Sequence, residues 1–293
     1  MATPQEVSNH NSIIQNLIDR FDEFLESATK TLENTVADRV LSATDENSLL
    51  ETRIPINRDF DEIFDRGLRD FMGEFDPVAR DVISWTPGEV TDADRTVVAE
   101  LKKQSYARLN ETVKSTRENI HTEIMMGALA GVAVQSIAET TRHRISGLMI
   151  TTSNLEATRL QNKLRRLRAA QDRNSELIAE TLQKLKKQFA GVSVGGSLAS
   201  QSSAEMHDLV MDFDGVFIRH RGRQAGLDRY RYTGTLVSES RDFCIRNVDR
   251  VFTEEEAKSV WASQSWSGKR SGDPFIVRGG HRCRHFWVPV GDD

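Results

Sequence analysis

The chain has 293 residues, 38% hydrophobic, 7% aromatic and 28% charged, which argues against a compact enzyme with a large apolar interior and fits an extended helical protein. Its net charge of −5 is the balance of −13 over residues 1–100, +8 over 101–200 and zero over 201–293. Such segregation points to a partner, or to pairing of these regions with each other or with neighbouring copies. The opening MATPQEVSNHNS lacks a basic segment followed by an apolar run, so no secretory signal is expected.

From Ile13 the apolar residues recur as Ile14, Leu17/Ile18, Phe21, Phe24/Leu25, Ala28, Leu32, Val36 and Val40. That rhythm predicts an amphipathic helix, its outer face carrying Asp19, Asp22, Glu23, Glu26 and Glu33. The face is either solvated or an arm that packs on a partner. Residues 42–57, polar from Ser42 to Ser48 and carrying Pro55, read as a break. A second amphipathic segment runs over 59–72 through Phe60, Ile63, Phe64, Leu68 and Phe71. Asp76-Pro77 starts a short helix, since proline suits a first turn, and Thr86-Pro87-Gly88 stops it. Residues 1–90 thus form an acidic helical N-terminal region. Thr91 and Asp94 pair as the cap of the next helix.

A helical middle region is expected over 91–190. Its most apolar part, MMGALAGVAVQSIA between Ile124 and Ala138, is about 15 residues long, short of the ~20 that span a bilayer. A helix over 124–138 buried inside a bundle is expected, with no stable membrane span, and Gly127 and Gly131 allow close approach of a neighbour. Ser153 and Glu156 cap a long helix over 154–189. Leu160, Leu164, Leu167, Gln171, Asn174, Ile178, Leu182, Leu185 and Phe189 trace a coiled-coil-like seam in it. Arg159, Lys163, Arg165, Arg166, Arg168, Arg173, Lys184, Lys186 and Lys187 surround the seam against Asp172, Glu176 and Glu180, a net of +6. These cations suit contact with double-stranded DNA phosphates without sequence specificity, or pairing with the acidic N-terminal helices. No aromatic residues are interleaved for base stacking.

A Gly/Ser-rich linker over 191–204 precedes a C-terminal module, 205–293. There Met206 to Phe217 reads as helix and Arg219-His220-Arg221-Gly222-Arg223 adds a second basic point. Thr233 to Val237 reads as a strand, with Gly234 a bulge or close-approach position. A turn carrying Cys244 follows, then a helix opened by the Thr253-x-x-Glu256 capping box. A flexible loop, a Cys/His cluster and a last strand complete the module. The fold class is mainly α: an elongated helical N-terminal and middle region plus a small α+β C-terminal module.

Both cysteines lie in this module, and Cys283 sits within His281-Arg282-Cys283-Arg284-His285. Cys244, Cys283 and one or both of His281 and His285 have the ligand chemistry of a closed zinc site. A buried pair of reduced thiols and a disulfide are the other two readings. No Gly-x-Ser-x-Gly, P-loop, dinucleotide fingerprint or zincin motif is present.

The same stretch resembles the C-terminal signature of the phage head morphogenesis proteins, the Mu F-like minor head family. The resemblance rests on Tyr232 and Gly234, Arg241-Asp242-Phe243-Cys244, Val251-Phe252-Thr253-Glu254-Glu255-Glu256, Gly279-Gly280-His281-Arg282-Cys283-Arg284-His285 and Trp287-Val288-Pro289-Val290. It covers about the last third of the chain. It implies a non-enzymatic minor head protein, present in multiple copies around the portal and associated with portal and capsid or scaffold proteins. Such a protein resides in the virion, inside the head or at the portal vertex, after assembly in the host cytoplasm, and contacts packaged DNA or is ejected with it. Some members carry ADP-ribosyltransferase domains, and Ser238-Glu239-Ser240 with Glu254-Glu255-Glu256 are fragments of that chemistry. An enzyme of that type is one alternative, and a zinc-dependent nucleic-acid-binding protein is the other.

Overall fold

The computed structural model describes residues 3–147, 163, 177, 196–236, 240–280 and 283–291. In chain order its elements are α1 (Pro4–Leu41), α2 (Glu46–Glu51), α3 (Arg53–Phe60), a π turn (Asp61–Asp65), α4 (Arg66–Phe71), a 3-10 turn (Met72–Phe75), α5 (Asp76–Trp85), α6 (Asp92–Leu129) and α7 (Val134–Ser146). They continue with α8 (Leu198–Gln224), β1 (Arg229–Thr233), α9 (Asp242–Asn247), β2 (Val251–Thr253), α10 (Glu254–Ala262), α11 (Pro274–Val277) and β3 (Phe286–Val290). The chain is therefore mainly α with a small α+β module, the class expected from its periodicities. The expected helix over 154–189 lies outside the described residues apart from Lys163, which is helical and exposed, and Leu177. Of its other basic positions, Arg159, Arg165, Arg166, Arg168, Arg173, Lys184, Lys186 and Lys187, none is described.

Two compact units form, each from segments distant in sequence. One comprises Met1–Ala28, Asp61–Lys114 and Gln201–Asp293, the other Thr29–Phe60 and Ser115–Ser200. In the first, the stripe of α1 buries Ile14, Leu17, Ile18, Phe21 and Leu25, as its spacing requires. Phe21 meets Phe71 edge-on with ring centroids 5.2 Å apart, and Phe24 meets Phe64 and Phe71 at 6.1 Å. Phe75 meets Phe213 of α8 at 5.0 Å. Helix α5 takes Pro77 in its first turn and ends at Trp85, before Thr86, as expected. Thr91 N–H donates to Asp94 Oδ2 at 2.7 Å and Asp94 N–H to Thr91 Oγ1 at 3.2 Å, so the expected cap forms.

The second unit corrects two expectations. Residues 42–57 are not simply a break. Asp45 accepts from Ser48 N–H, and Ser48 Oγ accepts from Asp45 N–H, a reciprocal cap that starts α2; Pro55 falls in the first turn of α3, where its missing N–H costs nothing. The apolar stretch 124–138 is not one buried helix. Helix α6 ends at Leu129, the chain turns through Gly131, and α7 begins at Val134. Ile124, Ala128, Ile137 and Ala138 are buried while Met125, Met126, Leu129 and Val132 are exposed. The expected close approach does occur at Gly127, where an added Cβ would lie 2.8 Å from Ile137 Cδ1. Among the described residues, no helix is long and apolar enough to cross a membrane.

The expected linker over 191–204 ends sooner than its composition suggests. Ser197 Oγ accepts from Ser200 N–H at 3.2 Å, and the helix runs from Leu198, whose side chain is buried. Tertiary burial of Leu198, Ser202 and Met206 outweighs the low helical preference of serine.

Candidate metal centre

The module is built on a three-stranded antiparallel sheet in the order β2-β1-β3. Tyr230 pairs with Phe252 and Pro289, Tyr232 with Trp287 and Thr233 with Phe286. Alternation along the strands puts Tyr230, Tyr232, Phe252 and Trp287 on one face, where they form a core with Phe243, Cys244, Trp261, Phe275 and Cys283. Strand β1 ends at Thr233; Val237 of the expected strand 233–237 lies outside the described residues. At Gly234 (φ +147°) the chain passes so close to His285, just before β3, that a Cβ would lie 2.7 Å from its Cα. That is the close approach expected of this glycine. Cys244 lies in α9, one short helix, rather than in a plain turn. The Thr253–Glu256 capping box opens α10 as expected.

Three indoles hold the backbone that brings Cys283 to Cys244. Trp287 Nε1 donates to Pro274 O at 2.9 Å, Trp261 Nε1 to Arg278 O at 2.7 Å and Trp266 Nε1 to Gly279 O at 2.8 Å. Lys269 Nζ stands 3.9 Å from the Trp261 ring centroid and donates to the Trp261 and Gln264 carbonyls. Each indole N–H is thus satisfied, with Trp261 and Trp287 buried and Trp266 partly buried against the same core. The only sequence trace of this clamp is that three of the four tryptophans fall within the module.

At the centre, Cys244 Sγ and Cys283 Sγ are 3.9 Å apart, free and buried. Cys283 Sγ lies 3.7 Å from His285 Nδ1, and the Tyr232 hydroxyl lies 3.4 and 3.6 Å from the two sulfurs. The His285 ring stacks on Tyr232 at 5.4 Å, and its Nε2 is buried without a hydrogen-bond partner. The two thiols differ in acidity. The hydrogen bond with Cys283, and then burial, push the Cys244 thiol up. The hydrogen bond from Cys244, joined by that of His285, holds Cys283 well below the ordinary thiol range despite its burial. Burial, then the adjacent sulfurs, raise the Tyr232 phenol well above its usual range.

These residues fit a soft metal ion. Around tetrahedral zinc, bonds of about 2.3 Å to sulfur and about 2.0 Å to nitrogen place two sulfurs about 3.8 Å apart and a sulfur and a nitrogen about 3.5 Å apart. The Cys244–Cys283 and Cys283–His285 distances, 3.9 and 3.7 Å, are close to those edges. All three ligand atoms lie within 4.8 Å of one another. Gly279 borders the same space: a Cβ there would lie 2.7 Å from Cys283 Sγ and 2.9 Å from Cys244 Sγ. The remaining expected ligand, His281, lies outside the described residues. Tyr232 and Gly279 were seen in the sequence only as motif letters, without a role at the sulfurs.

Other expected contacts resolve differently. The basic point 219–223 is absorbed internally: Arg219 pairs with Glu254 and Asp273, His220 and Arg221 with Asp94, and Arg223 with Glu254. Buried Arg221 also donates to the Pro87, Gly88 and Glu89 carbonyls at 3.0, 2.8 and 3.0 Å. Ser238 and Glu239 lie outside the described residues. Behind the centre runs a buried ionic chain with no sequence signature. Arg278 Nη2 donates to Asp214 Oδ2 at 2.6 Å, His10 Nε2 bonds Asp214 Oδ1 at 2.8 Å, and His10 Nδ1 bonds Asp81 Oδ2 at 2.7 Å. Comparison of the chain with protein-family models, curated proteins and solved structures found no match.

Proposed function

We propose that this chain is a structural minor head protein of the phage head morphogenesis type, associated with the portal and the capsid or scaffold, and that zinc clamps its C-terminal module through Cys244, Cys283 and His285. The observation that supports this reading is convergence. Tyr232, Cys244, Gly279, Cys283 and His285, scattered through the signature, meet in one buried cluster. Zinc would supply cohesion to a sheet of only three strands, since metal bound by the folded state alone adds its binding free energy to folding. Cys244, Cys283 and His285 are all buried, and together they leave one position of a tetrahedral ion for a fourth ligand.

Two carboxylates of the rival ADP-ribosyltransferase reading, Glu254 and Glu256, make structural contacts. Glu256 accepts from Thr253 N–H in the cap. Glu254 is tied to Arg219, Arg223 and Lys258; burial would raise its pKa, but Lys258 and then the two guanidiniums hold it at about 2.

Elemental analysis of the full chain purified without added metal tests the clamp. The expected result is about one zinc per chain, lost in Cys283→Ser together with the near-ultraviolet signal of the three module indoles. A metal-free protein with that signal intact would refute the clamp. The head-protein reading is checked separately by quantitative mass spectrometry of purified particles, where a small fixed ratio to the portal protein is expected. Absence from the particles would refute it.

A further inference from the structure

The opposite face of the same sheet carries a second site, one of whose residues, Arg284, lies between the proposed ligands Cys283 and His285. A groove of about 520 Å³ opens between that face, the first turns of α1 and the middle of α8. Arg231, paired in register with Val288, and Arg284 line it from the sheet side. Arg231 is half-buried and Arg284 exposed, and neither has an ion-pair partner among the described residues. By contrast, Arg219, Arg221, Arg270 and Arg278 of the same unit each pair with a carboxylate. Among the described residues, Asp249 is the one acidic residue lining the groove. From α8, His207 adds a buried Nδ1 without a hydrogen-bond partner, 3.9 Å from Asp208.

The walls decide what kind of anion fits. Val7, Ile14, Ile18, Met211 and Val288 give apolar surface between the polar groups, which suits aliphatic side chains. Among the described residues no Phe, Tyr or Trp lines the groove, so a nucleobase would find no stacking platform there. Unpaired guanidiniums match carboxylates in a planar, two-pronged geometry. We propose that this groove binds an extended acidic–aliphatic peptide segment of a partner protein, carboxylates on Arg231 and Arg284 and aliphatic side chains against Val288 and α1.

Fluorescence anisotropy on the full chain tests this with a labelled peptide of alternating glutamate and leucine. A lysine–leucine peptide and an oligothymidylate of matching charge serve as comparators. The glutamate–leucine peptide should bind, and the double variant Arg231→Gln, Arg284→Gln should weaken it by about tenfold or more. Arg284→Gln alone should give a smaller loss, and because Arg284 is exposed this variant keeps the test valid should the double variant fail to fold. Absence of binding, unchanged affinity in Arg284→Gln, or tighter binding of the oligothymidylate would each overturn the proposal.

Discussion

His10 is buried between two carboxylates, those of Asp81 and Asp214. Its side chain is fully buried, which by itself favours the neutral ring, but the Asp214 carboxylate and then Asp81 overcome that penalty and raise its pKa from 6.5 to about 9. The charged form therefore favours folding. Its contribution is complete below about pH 6.5, declines as pH rises, and is gone above about pH 9, a loss of about 3 kcal/mol across the window. Urea unfolding followed from about pH 6 to about pH 10 should show that decline. In His10→Ala it should be absent, and the variant should start about 3 kcal/mol less stable, because Asp214 is left buried with only Arg278 beside it. A pH profile identical in variant and parent would refute the assignment. At Gly279 the constraint is steric: Gly279→Ala places a methyl group against both sulfurs, and it should abolish zinc uptake even though no ligand is changed.

Helix starts are where local chemistry is most legible. Thr253 and Glu256, Thr91 and Asp94, and Pro77 after Asp76 each act within a few residues, so their spacing alone announces them. Thr253→Ala should lower stability by about 1 kcal/mol, the usual worth of an N-cap, measured as a shift in the urea midpoint at constant slope. A cost well under half of that would mean α10 is held by Trp261 and Ala257 packing instead. Apolar runs are less legible, because periodicity does not say where a chain reverses. The stretch 124–138 contains a turn at Gly131, and the residues beside that turn are exposed.

The whole chain divides into two units that interleave along the sequence. The module at 205–293 looks self-contained by composition and motif, yet in the structure it leans on distant segments of its own unit. Asp214 and Arg278 need His10, and Arg221 needs Asp94 and the carbonyls of 87–89. Expressed alone, 205–293 keeps the Asp214–Arg278 pair but loses His10 beside Asp214 and Asp94 beside Arg221, and uncovers the surface that packs on residues 1–114. The fragment should therefore show poor amide dispersion by NMR even with zinc present, and co-expression with residues 1–114 should restore it. A well-dispersed fragment spectrum would show the module to be autonomous.

What was readable in advance was whatever depends on near neighbours along the chain. The helical class follows from the three-four spacing of α1, the start of α10 from its cap, and the thiol–imidazole cluster from the crowding of Cys283 among histidines. The candidate ligands are legible but not their arrangement: nothing local says that Cys244 and His285 share a space with Tyr232 and Gly279. Only tertiary structure decided that, through strand register and three indole hydrogen bonds. The ionic chain His10–Asp214–Arg278 and the groove beneath Arg231 were invisible for the same physical reason. Coulombic and packing partners are chosen by distance in space, and here they lie up to 204 residues apart in sequence.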